Sequence, residues 1–187
     1  YSESSLIVKI YTEFAGLQSY LMLGVHKSGA KLRAGLFQPV TLLDLEVTYS
    51  EKGTLQSIRE ARLARPWQMI PSDIARSSVA IFINELVYRS IREEEANPEL
   101  FAFLWGSLEA LDGDSAETAG FPLAFTARLM HLLGIFPPPD RTPERPLFNL
   151  RDGLFQELAP GHPEFLDRDE SLALYHCLEQ NREPLLP

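Results

Sequence analysis

Cysteine is almost missing from this sequence: Cys177 is the only one in 187 residues. That excludes a disulfide framework and any zinc site built on several thiolates. Long hydrophobic runs are missing as well, and none reaches the roughly 18–20 apolar residues that a membrane span needs. With no signal-peptide pattern at its start, the chain is expected to be soluble and cytoplasmic. Catalytic signatures are equally scarce. There is no Gly-x-Ser-x-Gly elbow, no Walker loop and no Gly-x-Gly-x-x-Gly turn. His26, His131, His162 and His176 form no pair at ligand spacing, so no metal site is expected. Glu93-Glu94-Glu95 precedes a helix start, where a solvated loop favoured by the helix dipole accounts for it. Cys177 lies between Leu174 and Leu178 on a helical pattern, the place of a packed thiol. Nothing in this survey points to an enzyme.

Positive charge is also short. Lys and Arg number 17 against 26 Asp and Glu, a formal charge of −9, which at face value argues against a nucleic-acid binder. The average conceals a division. Residues 1–65 carry +2 and residues 66–187 carry −11, and all four lysines lie in the first segment. Such asymmetry suggests two modules with different partners.

Periodicity divides the chain at the same point. Before Pro66, apolar residues come in four short runs: Leu6 to Tyr11, Leu17 to Val25, Leu36 to Tyr49 and Thr54 to Leu63. In the third, Leu43, Leu45, Val47 and Tyr49 alternate with Asp44, Glu46 and Thr48, the pattern of a strand with one wet face. Short turns at Ala15-Gly16 and Lys52-Gly53 make this a small barrel or meander. Beyond Pro66 the period is helical. Pro71-Ser72-Asp73 opens a helix reaching about Arg92, whose broad apolar stripe predicts a central place in a bundle. Asn97-Pro98-Glu99 opens a second, with Leu100, Leu104, Leu108 and Leu111 on one face and Phe101 and Trp105 beside it. A third runs from about Phe121 to Leu133 with Gly134 as its cap. Residues 140–167 are punctuated by Pro and Gly and contain two strand-like pieces, Leu147–Leu150 and Leu154–Leu158. A last helix follows from about Arg168. The fold class is α+β: a barrel domain, 1–65, and a helical domain, 66–187, with a small metal-free hairpin region around 140–167.

One stretch stands out for binding. His26 to Gly35 links the second and third runs, contains two glycines, and places Lys27, Lys31 and Arg33 within seven residues. A loop of this kind can follow a phosphate backbone without reading sequence. The fourth run adds Arg59, Arg62 and Arg65, and strict alternation puts 59 and 65 on one face and 62 on the other. Lys9 completes the candidate set. The competing account is that a small soluble barrel carries charged loops anyway.

The residues also carry a resemblance. Tyr1 to Gly16 resembles the early part of the RecO family of bacterial recombination mediators. Leu32-Arg33-Ala34-Gly35-Leu36-Phe37-Gln38-Pro39-Val40 is similar to that family's basic loop running into its "LQPF" strand. Phe82 to Leu86, Glu93 to Phe101 and Arg128 to Gly134 match its helical domain in order. The resemblance implies an N-terminal OB-fold followed by a helical domain, with no catalysis and no cofactor. It further implies binding to single- and double-stranded DNA, strand annealing, and cooperation with RecR. Family members load RecA onto strands coated by single-stranded DNA-binding protein, whose acidic C-terminal tail they recognise. Tyr11, Phe14, Tyr20 and Phe37 are then candidates for base stacking, although at least two of them are expected to fill the barrel instead. Arg128, three residues before His131 on one helix, is the candidate for the acidic tail, against the simpler account of an internal ion pair. Two departures accompany the resemblance. The family's four-cysteine zinc module has no counterpart between Phe136 and Leu158, where a Leu147–Leu158 hairpin turning at Asp152-Gly153 is expected to do the packing. The family's first strand is also expected to be absent from the chain. A second function class stays open: a protein-interaction scaffold of the same repair pathway with weak or lost DNA binding.

Overall fold

The computed structural model describes residues 5–23, 34–50, 55–92, 94–114 and 117–180. In chain order the elements are β1 (Ser5–Thr12), β2 (Gly16–Leu23), β3 (Leu42–Thr48), β4 (Gln56–Arg65), α1 (Ile74–Ser90), α2 (Pro98–Asp112), α3 (Phe121–Leu132), β5 (Leu147–Asn149), β6 (Leu154–Gln156), β7 (Phe165–Leu166) and α4 (Arg168–Gln180). They fall into two compact units, Tyr1–Pro122 and Leu123–Pro187. The change from strands to helices does come after residue 65, but the first compact unit includes α1 and α2 along with the sheet.

In the first unit the sheet order is β1-β2-β4-β3. β1–β2 and β3–β4 are antiparallel, while β2 and β4 run parallel through Tyr20↔Gln56 and Leu21↔Ser57. Two antiparallel pairs joined by a parallel one follow the Greek-key path of an OB-fold. The β1–β2 turn needs Gly16, whose φ is 59°. Thr12 Oγ1 closes this turn by donating to the Gly16 carbonyl at 3.0 Å and accepting from the Ala15 N–H at 3.2 Å. Tyr20, Met22, Ile58 and Ala61 are buried on the inward face, with Val8, Ile10, Phe37 and Leu45 packed against them.

The third apolar run is a strand only in its second half. Ala34–Phe37 forms a single 3-10 turn, and the strand begins at Leu42. Pro39 has no N–H to give a ladder, and the next residue, Val40, has φ 66°, a left-handed conformation costly for a β-branched side chain. Trp67 holds that turn, its indole N–H donating to the Val40 carbonyl at 2.8 Å.

β4 contains two bulges opposite an unbroken β3. The partner of β3 skips from Arg65 to Leu63 and again from Glu60 to Ile58. Each skip adds a residue to β4 and resets its alternation.

Helix starts follow the expected chemistry. Asp73 caps α1, its carboxylate accepting from Ala75 N–H at 2.8 Å and Arg76 N–H at 3.1 Å. Asn97 caps α2, accepting from Leu100 N–H at 3.0 Å with Pro98 in the first turn. α1 is not surrounded by apolar neighbours as its stripe predicts. Val79, Ala80 and Ile83 are buried, but Ile74, Ile81, Phe82 and Tyr88 are exposed. The stripe is wider than the surface its neighbours cover.

A polar clamp joins the end of the sheet to the helices. Asp112, the buried last residue of α2, accepts from the N–H groups of Gln68, Met69 and Ile70 at 2.8–3.0 Å. Arg76, also buried, reaches from α1 to donate to the carbonyls of Gly113 at 2.7 Å and Asp114 at 3.2 Å. A carboxylate at a helix C-terminus is unfavourable for the dipole, so the backbone donors are what make this position tolerable.

In the second unit α3 ends in a Schellman motif at Gly134 (φ 68°): Ile135 N–H donates to Met130 O at 2.9 Å and Gly134 N–H to His131 O at 3.0 Å. The expected hairpin is present as β5–β6, turning at Gly153 with φ 67°, and β7 pairs on the other side of β5. Phe148, Phe155 and Leu178 form the buried centre of this unit, with Phe136, Leu166, Leu174 and Tyr175 packed around them. Ser171, fully buried on α4, locks the sheet to the helix: its hydroxyl accepts from Phe148 N–H at 2.9 Å and donates to Leu166 O at 3.1 Å.

Candidate nucleic-acid interface

Lys27, Lys31 and Arg33 lie outside the described residues. The other candidate cations of the first module are on strands. β3 has no extra residue, so Leu42, Asp44, Glu46 and Thr48 share its outward face. The register places Arg65 opposite Leu42 and Arg62 opposite Asp44. Arg59 donates from Nε to Thr48 Oγ1 at 2.7 Å. All three arginines therefore stand on the outward face, correcting the expectation that Arg62 points the opposite way; the two bulges in β4 are the reason.

Their company is mixed. Asp44, Glu46 and Glu60 occupy the same face, and Asp44–Arg62 is a cross-strand pair of opposite charge. Arg65 forms an ion pair with Glu109 of α2 and stacks its guanidinium 5.9 Å from the Trp67 ring centroid. Among the described residues this part of the sheet is a balanced charged surface. Lys9 differs. It is exposed on the outward face of β1, its Nζ lies 5.7 Å from the centroid of the Tyr88 ring, and no acid is paired with it in the ladder, where Ser19 stands opposite.

The four aromatic candidates separate by strand face. Tyr20 is 4% exposed in the barrel core, where burial pushes its phenol pKa up against the lowering effect of a hydrogen bond with Thr12, and Phe37 packs on the same core. These two fill the barrel. Tyr11 points outward and stacks on Phe101 with centroids 6.4 Å apart, while Phe14 is 87% exposed beside the β1–β2 turn. Sequence reasoning missed Tyr88, Phe101 and Trp105, which α1 and α2 bring to the outward face of β1. The available signal was β1 itself. Leu6-Ile7-Val8-Lys9-Ile10-Tyr11 is apolar on both faces, the pattern of a strand covered on both sides.

On α3, His131 stacks on Phe136 with centroids 3.7 Å apart and planes 15° apart. Arg128 lies one turn earlier on the same helix, half-buried.

Two family models match the chain: Recombination protein O N terminal over residues 1–67, and Recombination protein O C terminal over residues 71–142. A protein of Bacteroides fragilis named DNA repair protein RecO is 34% identical over 186 residues, covering 99% of this chain and 77% of the relative. The Flavobacterium psychrophilum protein of the same name is 37% identical over 156 residues, covering 83% of this chain and 65% of the relative. That of Porphyromonas gingivalis is 33% identical over 140 residues, 73% of this chain and 57% of the relative.

Proposed function

Because the chain belongs to the RecO family, whose curated relatives are named DNA repair proteins, we propose that it acts in DNA repair as a non-enzymatic recombination mediator. It binds single- and double-stranded DNA, anneals complementary strands and, with RecR, loads RecA onto single-stranded DNA coated by single-stranded DNA-binding protein. The observation that supports DNA binding best is the OB-type sheet with its parallel β2·β4 pair. Such a sheet offers an outward surface on which a nucleic-acid strand is followed by cations and stacked by rings. Lys9, Arg59, Arg62 and Arg65 are the cations of this surface among the described residues, and Lys27, Lys31 and Arg33 are the loop residues proposed to join them. Arg128 and His131 are proposed to meet the acidic tail of the single-stranded DNA-binding protein, as a cation beside a stacked ring pair. No helix of the described residues is long and apolar enough to cross a membrane, in keeping with a cytoplasmic site of action near DNA.

The test is a fluorescence titration of the whole chain against labelled single-stranded DNA over a salt series. Binding that weakens steeply with salt is expected, because phosphate contacts release counterions. Lys27→Glu combined with Arg33→Glu weakens it for every sequence alike. A flat salt response, or no binding at low salt, overturns the proposal. One observation favours the alternative of an interaction scaffold with weak or lost DNA binding: Arg62 and Arg65 face carboxylates of this chain. Retention of RecR by a chain that fails to bind DNA decides for that alternative.

A further inference from the structure

A groove of about 600 Å³ lies between the outward face of β1, the Gln38–Leu43 segment and the helices α1 and α2. The rings of Tyr11, Tyr88, Phe101 and Trp105 line it, beside Phe37, which packs against the barrel core, and Lys9 is its one charged residue among the described residues. The rings already form a series: Tyr11 stacks on Phe101 with planes 24° apart, and Phe101 lies 6.0 Å from Trp105. Tyr88, also in the lining, is 59% exposed, and Ile7 is 50% exposed. Lys9 stands over the Tyr88 ring, its Nζ 5.7 Å from the centroid. The opposite wall includes Val40, held in its left-handed conformation by Trp67. A residue kept in such a conformation by a specific hydrogen bond is a mark of a shaped site.

We propose that this groove is a base-stacking channel for single-stranded DNA, with Tyr88 receiving a base and Lys9 the adjoining phosphate. The inference deepens the proposed function and rests on it. Charge complementarity supports this occupant: an exposed cation, Lys9, and no carboxylate among the described lining residues suit a polyanion. The rings supply a flat surface to which any base presents a π-face, worth a large factor per base stacked and tolerant of sequence. An acidic peptide with one apolar anchor would use the lysine and a single socket rather than a run of rings.

The experiment compares the full chain with Tyr88→Ala, Tyr88→Phe and Lys9→Ala. Fluorescence anisotropy is read with a labelled thymidine oligomer and with an abasic oligomer of equal length. Tyr88 is exposed, so its truncation leaves the core intact, which circular dichroism confirms for each variant. Tyr88→Ala is expected to weaken thymidine-oligomer binding about tenfold, the loss of roughly one stacked base. Tyr88→Phe retains binding, because the ring and not the hydroxyl stacks. The abasic oligomer, with the same phosphates, binds weakly and is indifferent to Tyr88→Ala. Lys9→Ala lowers the salt slope by about one. If the wild-type chain binds the thymidine oligomer and Tyr88→Ala leaves that affinity unchanged, the groove proposal falls while DNA binding stands. If the wild-type chain binds neither oligomer, both fall. Loss of a labelled acidic peptide ending in Phe on Tyr88→Ala, with no change for DNA, also overturns the proposal and assigns the groove to a peptide.

Discussion

The two compact units each pin a helix with one buried polar side chain, and they do it with different chemistry. In the first unit Asp112 gathers three backbone N–H groups of the segment leaving β4. In the second, Ser171 accepts from Phe148 and donates to Leu166. The carboxylate has no proton to donate but holds several donors at once, as a connecting segment without strand or helix partners requires. The hydroxyl serves one donor and one acceptor, enough where the β5–β6 and β5–β7 ladders satisfy the neighbouring backbone. A charged joint is stronger and sensitive to pH; a neutral one is weaker and indifferent to it.

Asp112→Ala leaves the N–H group of Ile70 unpaired in a buried place and those of Gln68 and Met69 in partly buried ones, and should destabilise the first unit by about 2 kcal/mol. Asp112→Asn keeps one acceptor oxygen and should cost about half as much. Both tryptophans, Trp67 and Trp105, belong to the first unit. Urea unfolding followed by tryptophan fluorescence therefore reads this unit alone, and an unshifted midpoint in Asp112→Ala would remove the clamp from the account.

Acid tests the same joint by charge. Burial alone would raise the Asp112 pKa, but the N–H donors of Gln68, Ile70 and Met69 and the positive charge of Arg65 outweigh it and hold the carboxyl below its ordinary value of 3.8. A pKa lowered by folding contributes stability that is fully present above the ordinary value and is lost as pH falls through the folded one. The fluorescence midpoint of the wild-type chain should therefore fall as pH drops below about 4, and that of Asp112→Asn should fall less. Parallel curves would mean that other carboxylates carry the acid response.

Ser171→Ala should cost the second unit about 1–2 kcal/mol, because Phe148 N–H loses its buried acceptor. Hydrogen exchange of the β5 amides should speed up in proportion and show the same decrement at neutral and acid pH. The smallest effect is expected at the β5–β6 turn. A Cβ on Gly153 meets nothing within 4 Å, so Gly153→Ala carries only the left-handed backbone penalty of about 1 kcal/mol. Exchange confined to the hairpin is the measurement, and a larger loss would show that the turn supports more than its own ladder.

Much of this architecture was legible in local pattern. Asp73, Asn97-Pro98 and Gly134 announced helix ends because capping needs a side-chain oxygen or a left-handed glycine within a residue or two, whatever lies around it. Asp152-Gly153 announced the hairpin for the same local reason. The two bulges in β4 were not legible. Ile58-Arg59-Glu60-Ala61-Arg62 reads as irregular alternation either way, and only pairing with an unbulged β3 shows which residue is extra. Asp112 was hidden too, since a carboxylate ending a helix reads as a solvated charge until the N–H groups of residues 68–70 are placed upon it.

The sequence by itself determined the order of the four N-terminal strands and the four helices and the helix ends at Asp73, Asn97 and Gly134, because these follow from periodicity and from chemistry within one turn. Tertiary structure decided what the outward face became. It set Arg59, Arg62 and Arg65 among carboxylates and gave Lys9 a groove lined by rings from segments up to about a hundred residues away. Charge balance and ring stacking depend on distance in space, and that distance exists only once β4 has bulged and α1 and α2 have packed beside β1.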